Sequence, residues 1–172
     1  TTNSFHLVSD LADNLISEVY ISSKETATDQ VSPAGQNMPN IVVEDAFGYE
    51  FVAGPDIFRM ANDLDTETNF FKAKLTYYQN NHKITAGFEN TVYDTYNLFI
   101  INEDGSFEFD DLAALQAGQI GSYSASGAKT GDVNDAAADF EYELSSMYLM
   151  DEYTISDSMT LTYGVRYDEY SG

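Results

Sequence analysis

Few residues of this sequence are of the types that carry enzyme chemistry. The 172 residues include no Cys and only two histidines, His6 and His82, and His82 lies in a predicted tight turn. Neither histidine has a second histidine at the spacing that a zinc site on a helix requires. There is no Gly-x-Ser-x-Gly nucleophile elbow and no phosphate-binding loop. The sequence therefore predicts a protein that is not an enzyme.

Two loop segments carry oxygen ligands of the kind that calcium prefers. Asn102 and Asp104 lie in the first segment, and Asp132, Asn134 and Asp135 lie in the second. Calcium takes about 6–8 such oxygens, but neither segment has the EF-hand spacing with its glycine and terminal glutamate. A solvated acidic loop is the competing interpretation. Apart from this calcium hypothesis, no cofactor is expected.

The charge of the chain excludes one class of partner. There are 29 acidic and 7 basic residues, a formal net charge of −22. Nucleic-acid binding needs clustered Lys and Arg to neutralise phosphates, so no nucleic-acid partner is expected. Asp139, Glu141 and Glu143 put three like charges on one face of a predicted strand, which suits a water-filled lumen or solvent rather than a core.

The clearest pattern is an alternation of apolar and polar residues with a period of two, which is typical of half-buried β-strands. It predicts four strands, at residues 70–78, 83–99, 139–153 and 159–170. Short polar turns at Asn80-Asn81 and at Asp157 join the strands into two antiparallel hairpins. The predicted fold class is all-β, an antiparallel meander of hairpins.

The alternation divides the predicted strands into two faces. The apolar face carries Phe71, Leu75, Ile84, Phe88, Leu161 and Val165. The polar face carries Lys74, Thr85, Glu89, Thr162 and Arg166. Residues 85–89 (TAGFE) of the first hairpin align with residues 162–166 (TYGVR) of the second, which gives a five-residue repeat. Glu89 and Arg166 hold its last position, so we expect them to belong to one charge network.

The connection between the hairpins is much longer than the turns within them. Residues 102–138 are acidic and rich in Gly, Ser and Ala, and they include one predicted short helix. Asp110 or Asp111 is its expected N-cap, and Gly118 is expected just after its last turn.

The segment at residues 15–23 is ambiguous. Its β-branched content favours a strand, but four apolar residues spaced four apart also fit a helix. These are Leu7, Leu11, Leu15 and Val19.

Short turns at one end of the strands and long loops at the other are typical of outer-membrane β-barrels. In such a barrel the apolar face meets lipid and the polar face lines the lumen. Aromatic residues near the strand ends then form two girdles, with Tyr77, Tyr78 and Tyr153 on the periplasmic side and Tyr93, Tyr96, Phe99, Tyr167 and Tyr170 on the outer side. The alternative is a secreted or surface acidic β-sandwich that binds calcium or a glycan through its loops.

Two segments resemble the strand-turn-strand units of TonB-dependent outer-membrane receptors. One is residues 75–89 (LTYYQNNHKITAGFE), and the other, closer to the family pattern, is residues 151–168 (DEYTISDSMTLTYGVRYD). Residues 96–100 (YNLFI), with the loop and helix that follow, resemble the Oar-like branch of that family. The resemblance covers residues 60–172.

The resemblance implies a barrel of about 22 strands plugged by an N-terminal domain, which imports a scarce nutrient with energy passed through TonB. Residues 1–172 are then expected to form a single segment of the barrel wall, with residues 102–138 as a long extracellular loop. The expected location is the outer membrane of a Gram-negative bacterium. The expected partners are outer-membrane lipid and a small nutrient ligand, with TonB contacted only through parts that this chain lacks.

Overall fold

The structure, a computed structural model, describes residues 1–172 and consists almost entirely of β-strands. In chain order the elements are β1 (Thr2–Ala12), β2 (Leu15–Asp29), β3 (Asn40–Glu44), β4 (Glu50–Ala53), β5 (Ala61–Gln79), β6 (His82–Ile100), β7 (Ser106–Phe109), α1 (Leu112–Ala117), β8 (Ser122–Ser124), β9 (Ala138–Ser156) and β10 (Met159–Ser171). Two single-turn 3₁₀ helices lie at Ile57–Arg59 and Val133–Ala136. The predicted all-β fold class is confirmed.

The long strands form one six-stranded sheet in the order β1-β2-β5-β6-β9-β10. Each of the four predicted strands falls within β5, β6, β9 or β10, and the observed strands extend further at one or both ends. Two-residue turns join the hairpins, and Asn80 has a φ of 53°, in the left-handed region that asparagine tolerates. The sheet is open, with β1 and β10 at its two edges.

The strand prediction for residues 15–23 is confirmed, and the helical alternative is wrong. These residues lie in β2, which pairs with β1 in an antiparallel hairpin. A spacing of four is also a multiple of the strand period of two, so Leu7, Leu11, Leu15 and Val19 are compatible with one face of a strand pair. The spacing of four that suggested a helix is therefore twice the two-residue period of a strand.

A second, smaller sheet has the order β4-β3-β7-β8 and was not predicted. Its strands are only three to five residues long, and β3 runs parallel to β7. The helix predicted in residues 102–138 is confirmed as α1. The side chain of Asp111 caps it by accepting a hydrogen bond of 2.7 Å from the Ala114 N–H, and Gly118 ends it with a φ of 68°. No helix in the chain has the length and apolar character needed to cross a membrane.

The chain divides into two compact units. The first, here called the sheet unit, comprises Thr1–Thr26, Thr66–Thr95 and Phe140–Gly172. The second, here called the loop unit, comprises Ala27–Asp65 and Tyr96–Asp139. The loop unit has its own small core, formed by the buried side chains of Ala61, Leu98 and Ile100 with Tyr96, Val133 and Ala137 packed against them.

Burial in the sheet unit is the reverse of that in a water-soluble protein. The small polar side chains of Ser146 and Thr85 are 1% and 5% exposed, whereas Leu161 and Val165 are 47% and 68% exposed. A soluble domain places most of its large apolar side chains inside. A long row of exposed apolar residues on one face indicates a surface that meets something other than water.

Candidate functional site

A network of charged side chains crosses the polar face of the six-stranded sheet. On one side, Lys74 Nζ lies 2.6 Å from Glu18 Oε2, and Lys72 Nζ lies 3.6 Å from Glu18 Oε1 and 3.9 Å from Glu89 Oε1. On the other side, Arg166 Nη1 lies 3.1 Å from Glu89 Oε2. The network therefore connects strands β2, β5, β6 and β10.

The Arg166 end of this network is held by several groups at once. Its Nε donates to Asp168 Oδ1 at 2.7 Å and its Nη2 donates to the Ser146 hydroxyl at 2.8 Å. The Ser146 hydroxyl in turn donates to Asp168 Oδ1. The guanidinium also lies 5.8 Å from the centre of the Tyr148 ring, a cation–π distance. These contacts fix the arginine on the polar face.

The Tyr148 ring needs a glycine on the neighbouring strand. A Cβ atom at Gly87 would fall 2.7 Å from Tyr148 Cε1, and closer still to its Cζ and hydroxyl. Only a residue without a side chain lets the ring lie flat against the strand. Gly87 therefore leaves room for the Tyr148 ring beside the charge network.

All five residues predicted for the polar face lie there. Glu89, Arg166 and Lys74 belong to the charge network. Thr85 is buried four residues before Glu89 on β6, and Thr162 lies four residues before Arg166 on β10, so each shares its neighbour's face. Glu89 and Arg166, 77 residues apart, contact each other directly within the charge network to which the sequence assigned both.

A polar cluster near the short turns was not predicted. Asp151 Oδ2 accepts a hydrogen bond of 2.6 Å from the Tyr163 hydroxyl and lies 2.7 Å from His82 Nδ1. The His82 ring stacks on Tyr153 with 4.5 Å between ring centres. His82 shares its side of β6 with Ile84, so the cluster lies at the end of the apolar face.

Two expectations about strand faces need correction. Tyr93 stacks on Tyr142 with 4.5 Å between ring centres, and Tyr93 shares its side of β6 with Glu89. It therefore lies on the polar face and does not belong to a lipid-facing aromatic girdle. Glu143 accepts a hydrogen bond from Asn90, which shares its side of β6 with the apolar-face residue Phe88. Glu143 thus lies on the apolar side.

The calcium candidates are engaged in local hydrogen bonds of the loop unit. Asn102 has a φ of 61° and its amide donates to the Ser124 carbonyl at 2.9 Å. Asp132 accepts from the backbone N–H of Asn134 at 3.0 Å, as a cap of the short helix that contains Asp135. Asp104 lies beside Glu103, whose pKa is raised by burial and by the negative charge of Asp104. No group of three or more His, Asp or Glu side chains is arranged to hold a metal ion.

The comparison with known protein families decides the identity of the fold. The family described as outer membrane beta barrel domain matches residues 8–172. The chain belongs to this family. Searches of curated proteins and of solved structures gave no significant match.

Membership of the barrel family explains the reversed burial. An outer membrane barrel domain belongs to the outer membrane of a bacterium, and its strands alternate between lipid-facing apolar residues and polar residues that face inwards. Barrel domains of this class are typically not enzymes. The charge network can hold its charged and hydrogen-bonding side chains in fixed positions on the polar face.

Proposed function

We propose that this chain is part of the wall of an outer-membrane receptor of the TonB-dependent type, which binds a small nutrient ligand and imports it. In this proposal the polar face lines the lumen, the apolar face meets lipid, and the loop unit faces the outside of the cell. The observation that carries the proposal is the reversed burial, with Ser146 and Thr85 covered while Leu161 and Val165 are exposed.

The lengths of the connections support the orientation. β1–β2, β5–β6 and β9–β10 are joined by two-residue turns, whereas the segments between these hairpins span tens of residues. Successive hairpins place all the short turns at one end of the sheet and the long connections at the other. Outer-membrane barrels have short periplasmic turns and long extracellular loops, so the loop unit is assigned to the outside.

The composition of the polar face supports a lumen. The charge network has three carboxylates, on Glu18, Glu89 and Asp168, and three cations, on Lys72, Lys74 and Arg166. Charged side chains of this kind are well solvated when they face water, whereas moving each ion into contact with lipid would cost several kcal/mol of free energy. A wall of alternating charges suits a water-filled passage for a polar solute.

The proposal requires partners for both edges of the sheet. β1 and β10 each leave one row of backbone N–H and C=O groups without a strand beside it, and such groups must be paired inside a bilayer. Six strands are fewer than the eight of the smallest membrane barrels. The neighbouring strands, the plug and the TonB-contacting segment are assigned to the rest of the receptor, on the strength of the motif resemblance at residues 75–89 and 151–168.

The alternative of a secreted β-sandwich is less well supported. A sandwich buries its apolar face between two packed sheets, but here the apolar residues of the six-stranded sheet are exposed. The family match also covers nearly the whole chain.

The test is a deletion of residues 102–138 from the full-length receptor in its native host. When nutrients are limiting, we expect the deletion strain to grow as poorly as a strain without the receptor. A strain without functional TonB should show the same growth defect. A strain that carries both the loop deletion and the TonB defect should grow no worse than either single mutant. The barrel itself should still assemble, as judged by its abundance and by its heat-dependent mobility in SDS gels. Growth equal to that of the wild type, with normal assembly, would show that the loop takes no part in ligand capture.

A further inference from the structure

The loop unit contains an open groove with an apolar lining. Its floor is one face of the β3–β4 hairpin, where Ile41 lies directly opposite Ala53 and Val43 lies directly opposite Phe51. Helix α1 packs on β3 and β7 beside it and contributes Leu112 and Leu115 to its wall. Phe51 and Leu112 stay largely exposed at 64% and 61%. The groove therefore presents apolar surface that the chain itself leaves uncovered.

The size and lining of the groove are those of a small-molecule site. Its volume is about 620 Å³, within the range of about 300–1,000 Å³ that is usual for pockets that bind small ligands. Such pockets combine a mostly apolar lining with a few placed polar groups. Here the acidic residues along the groove are Glu44, Asp45 and Asp111, and no basic residue lines it.

Two of these carboxylates are held in place by backbone hydrogen bonds. Asp45 Oδ1 accepts from the N–H groups of Phe47 and Tyr49 at 2.8 and 2.9 Å. Asp111 Oδ1 accepts from the Ala114 N–H at 2.7 Å. Their negative charges are therefore fixed at the groove before any ligand arrives, which lowers the ordering cost of binding.

The charge around the groove selects one sign of ligand. Asp45 and Asp111 hold their carboxylates at the groove, while Glu44 and Glu50, which lie opposite each other on the other side of the β3–β4 hairpin, add negative charge nearby. The whole loop unit has fifteen acidic residues, against Arg59 and Lys129 as its basic residues. The resulting negative potential attracts cations and repels anions.

We propose that this groove binds an amphipathic cation, a small molecule with an apolar or aromatic body and one amine or guanidinium group. The body lies on Ile41, Val43 and Phe51, and the cationic group meets the carboxylates at the edge. The assignment of the groove to ligand capture rests on the proposed function, since it gives the chemical class of solute that the extracellular loops would collect.

The experiment compares two probes with the same ring and opposite charge, 2-(1-naphthyl)ethylamine and 1-naphthylacetate. Binding to the full-length protein in nanodiscs of zwitterionic lipid is measured by equilibrium dialysis, with empty nanodiscs to subtract partition into lipid. We expect the amine to bind about tenfold more tightly than the acetate, because like-charge contacts are strongly unfavourable. The preference should shrink as salt is added.

Three variants locate the binding. Ala53→Trp fills the groove and should abolish binding of the amine, and Leu112→Asn, at an exposed helix position, should weaken it if the tryptophan variant does not assemble. Asp45→Asn, which keeps an oxygen to accept from the N–H groups of Phe47 and Tyr49, should weaken it by about two- to fivefold, the value of one partly exposed charge contact. Glu108→Gln is the matched control, since Glu108 lies on β7 of the same sheet but does not line the groove.

Any of three results would overturn the proposal: no binding of the amine, equal affinity for the two probes, or binding that persists in both groove variants. An equal effect of Glu108→Gln and Asp45→Asn would also overturn it, because the attraction would then belong to the whole acidic surface. The measurement involves neither transport nor TonB. A negative binding result therefore contradicts the groove proposal without contradicting the transport role. A failed uptake experiment contradicts the transport role without contradicting binding at the groove.

Discussion

Replacing Gly87 with alanine tests the packing beneath the charge network. The added methyl group would fall 2.7 Å from Tyr148 Cε1 and closer to the end of the ring, well inside van der Waals contact. The ring must move, and its position over the Arg166 guanidinium is then lost. Overpacking of this kind costs about 1–3 kcal/mol, and the low end is expected here because a side chain, not the backbone, gives way.

Gly164 provides a contrast on the same face. A methyl group there would fall 2.6 Å from the Leu149 carbonyl oxygen and 3.0 Å from Met150 Cα. These are backbone atoms of the neighbouring strand β9, which cannot move without disturbing the sheet. Gly164→Ala is therefore expected to lower the free energy of unfolding by an amount at or above the upper end of the range of about 1–3 kcal/mol.

The assay is unfolding of the full-length protein by denaturant in lipid vesicles. Gly127→Ala is the control, because nothing lies within 4 Å of a methyl group there. In a Tyr148→Ala background the cost of Gly87→Ala should fall close to zero, whereas the cost of Gly164→Ala should persist. The reasoning is refuted if Gly87→Ala behaves like the control, or if its cost is unchanged without the tyrosine ring.

Three further experiments have defined outcomes. Arg166→Met and Glu89→Gln should be less destabilising together than the sum of the two single effects, because each alone leaves a partner charge unpaired; additive effects in a double-mutant cycle would show that the two charges do not interact. Asp111→Ala should lower the stability of helix α1 by about 1 kcal/mol and speed amide exchange at residues 112–117, and unchanged exchange would show that the cap is unimportant. Burial raises the pKa of Glu103, so its ionised form destabilises the folded loop unit; Glu103→Gln should stabilise it at neutral pH, and this gain should vanish as the pH falls below the pKa of the unfolded chain. A gain that is the same at acidic and neutral pH would contradict the assigned cause.

The β5–β6 and β9–β10 hairpins were predictable because each of their strands has one apolar and one polar face. The alternation around Leu75 and Leu161 repeats often enough to set both the strands and their faces, and the matching positions of Glu89 and Arg166 predicted that both belong to one charge network. The helix at Asp111 was predictable from its caps, which are local features. These parts of the fold depend on residues close together in the chain.

The features that the sequence did not predict depend on pairing between distant segments. β3 and β7 are five and four residues long, too short for a pattern, and they pair across more than sixty residues. The His82–Asp151 contact and the groove above Val43 exist only because of such pairing. The girdle prediction for Tyr93 was wrong because it used only closeness to the strand end; the spacing of four residues from Glu89 on β6 puts both side chains on one side.

The most direct test of the central claim is the accessibility of single cysteines along β10, in a chain that has no cysteine of its own. Spin labels attached to Leu161→Cys, Thr162→Cys, Val165→Cys and Arg166→Cys in reconstituted membranes are compared for collisions with oxygen, which concentrates in lipid, and with a water-soluble nickel chelate. A barrel wall predicts strict alternation, with oxygen favoured at positions 161 and 165 and the chelate favoured at 162 and 166. Equal access to the chelate at all four positions would contradict it.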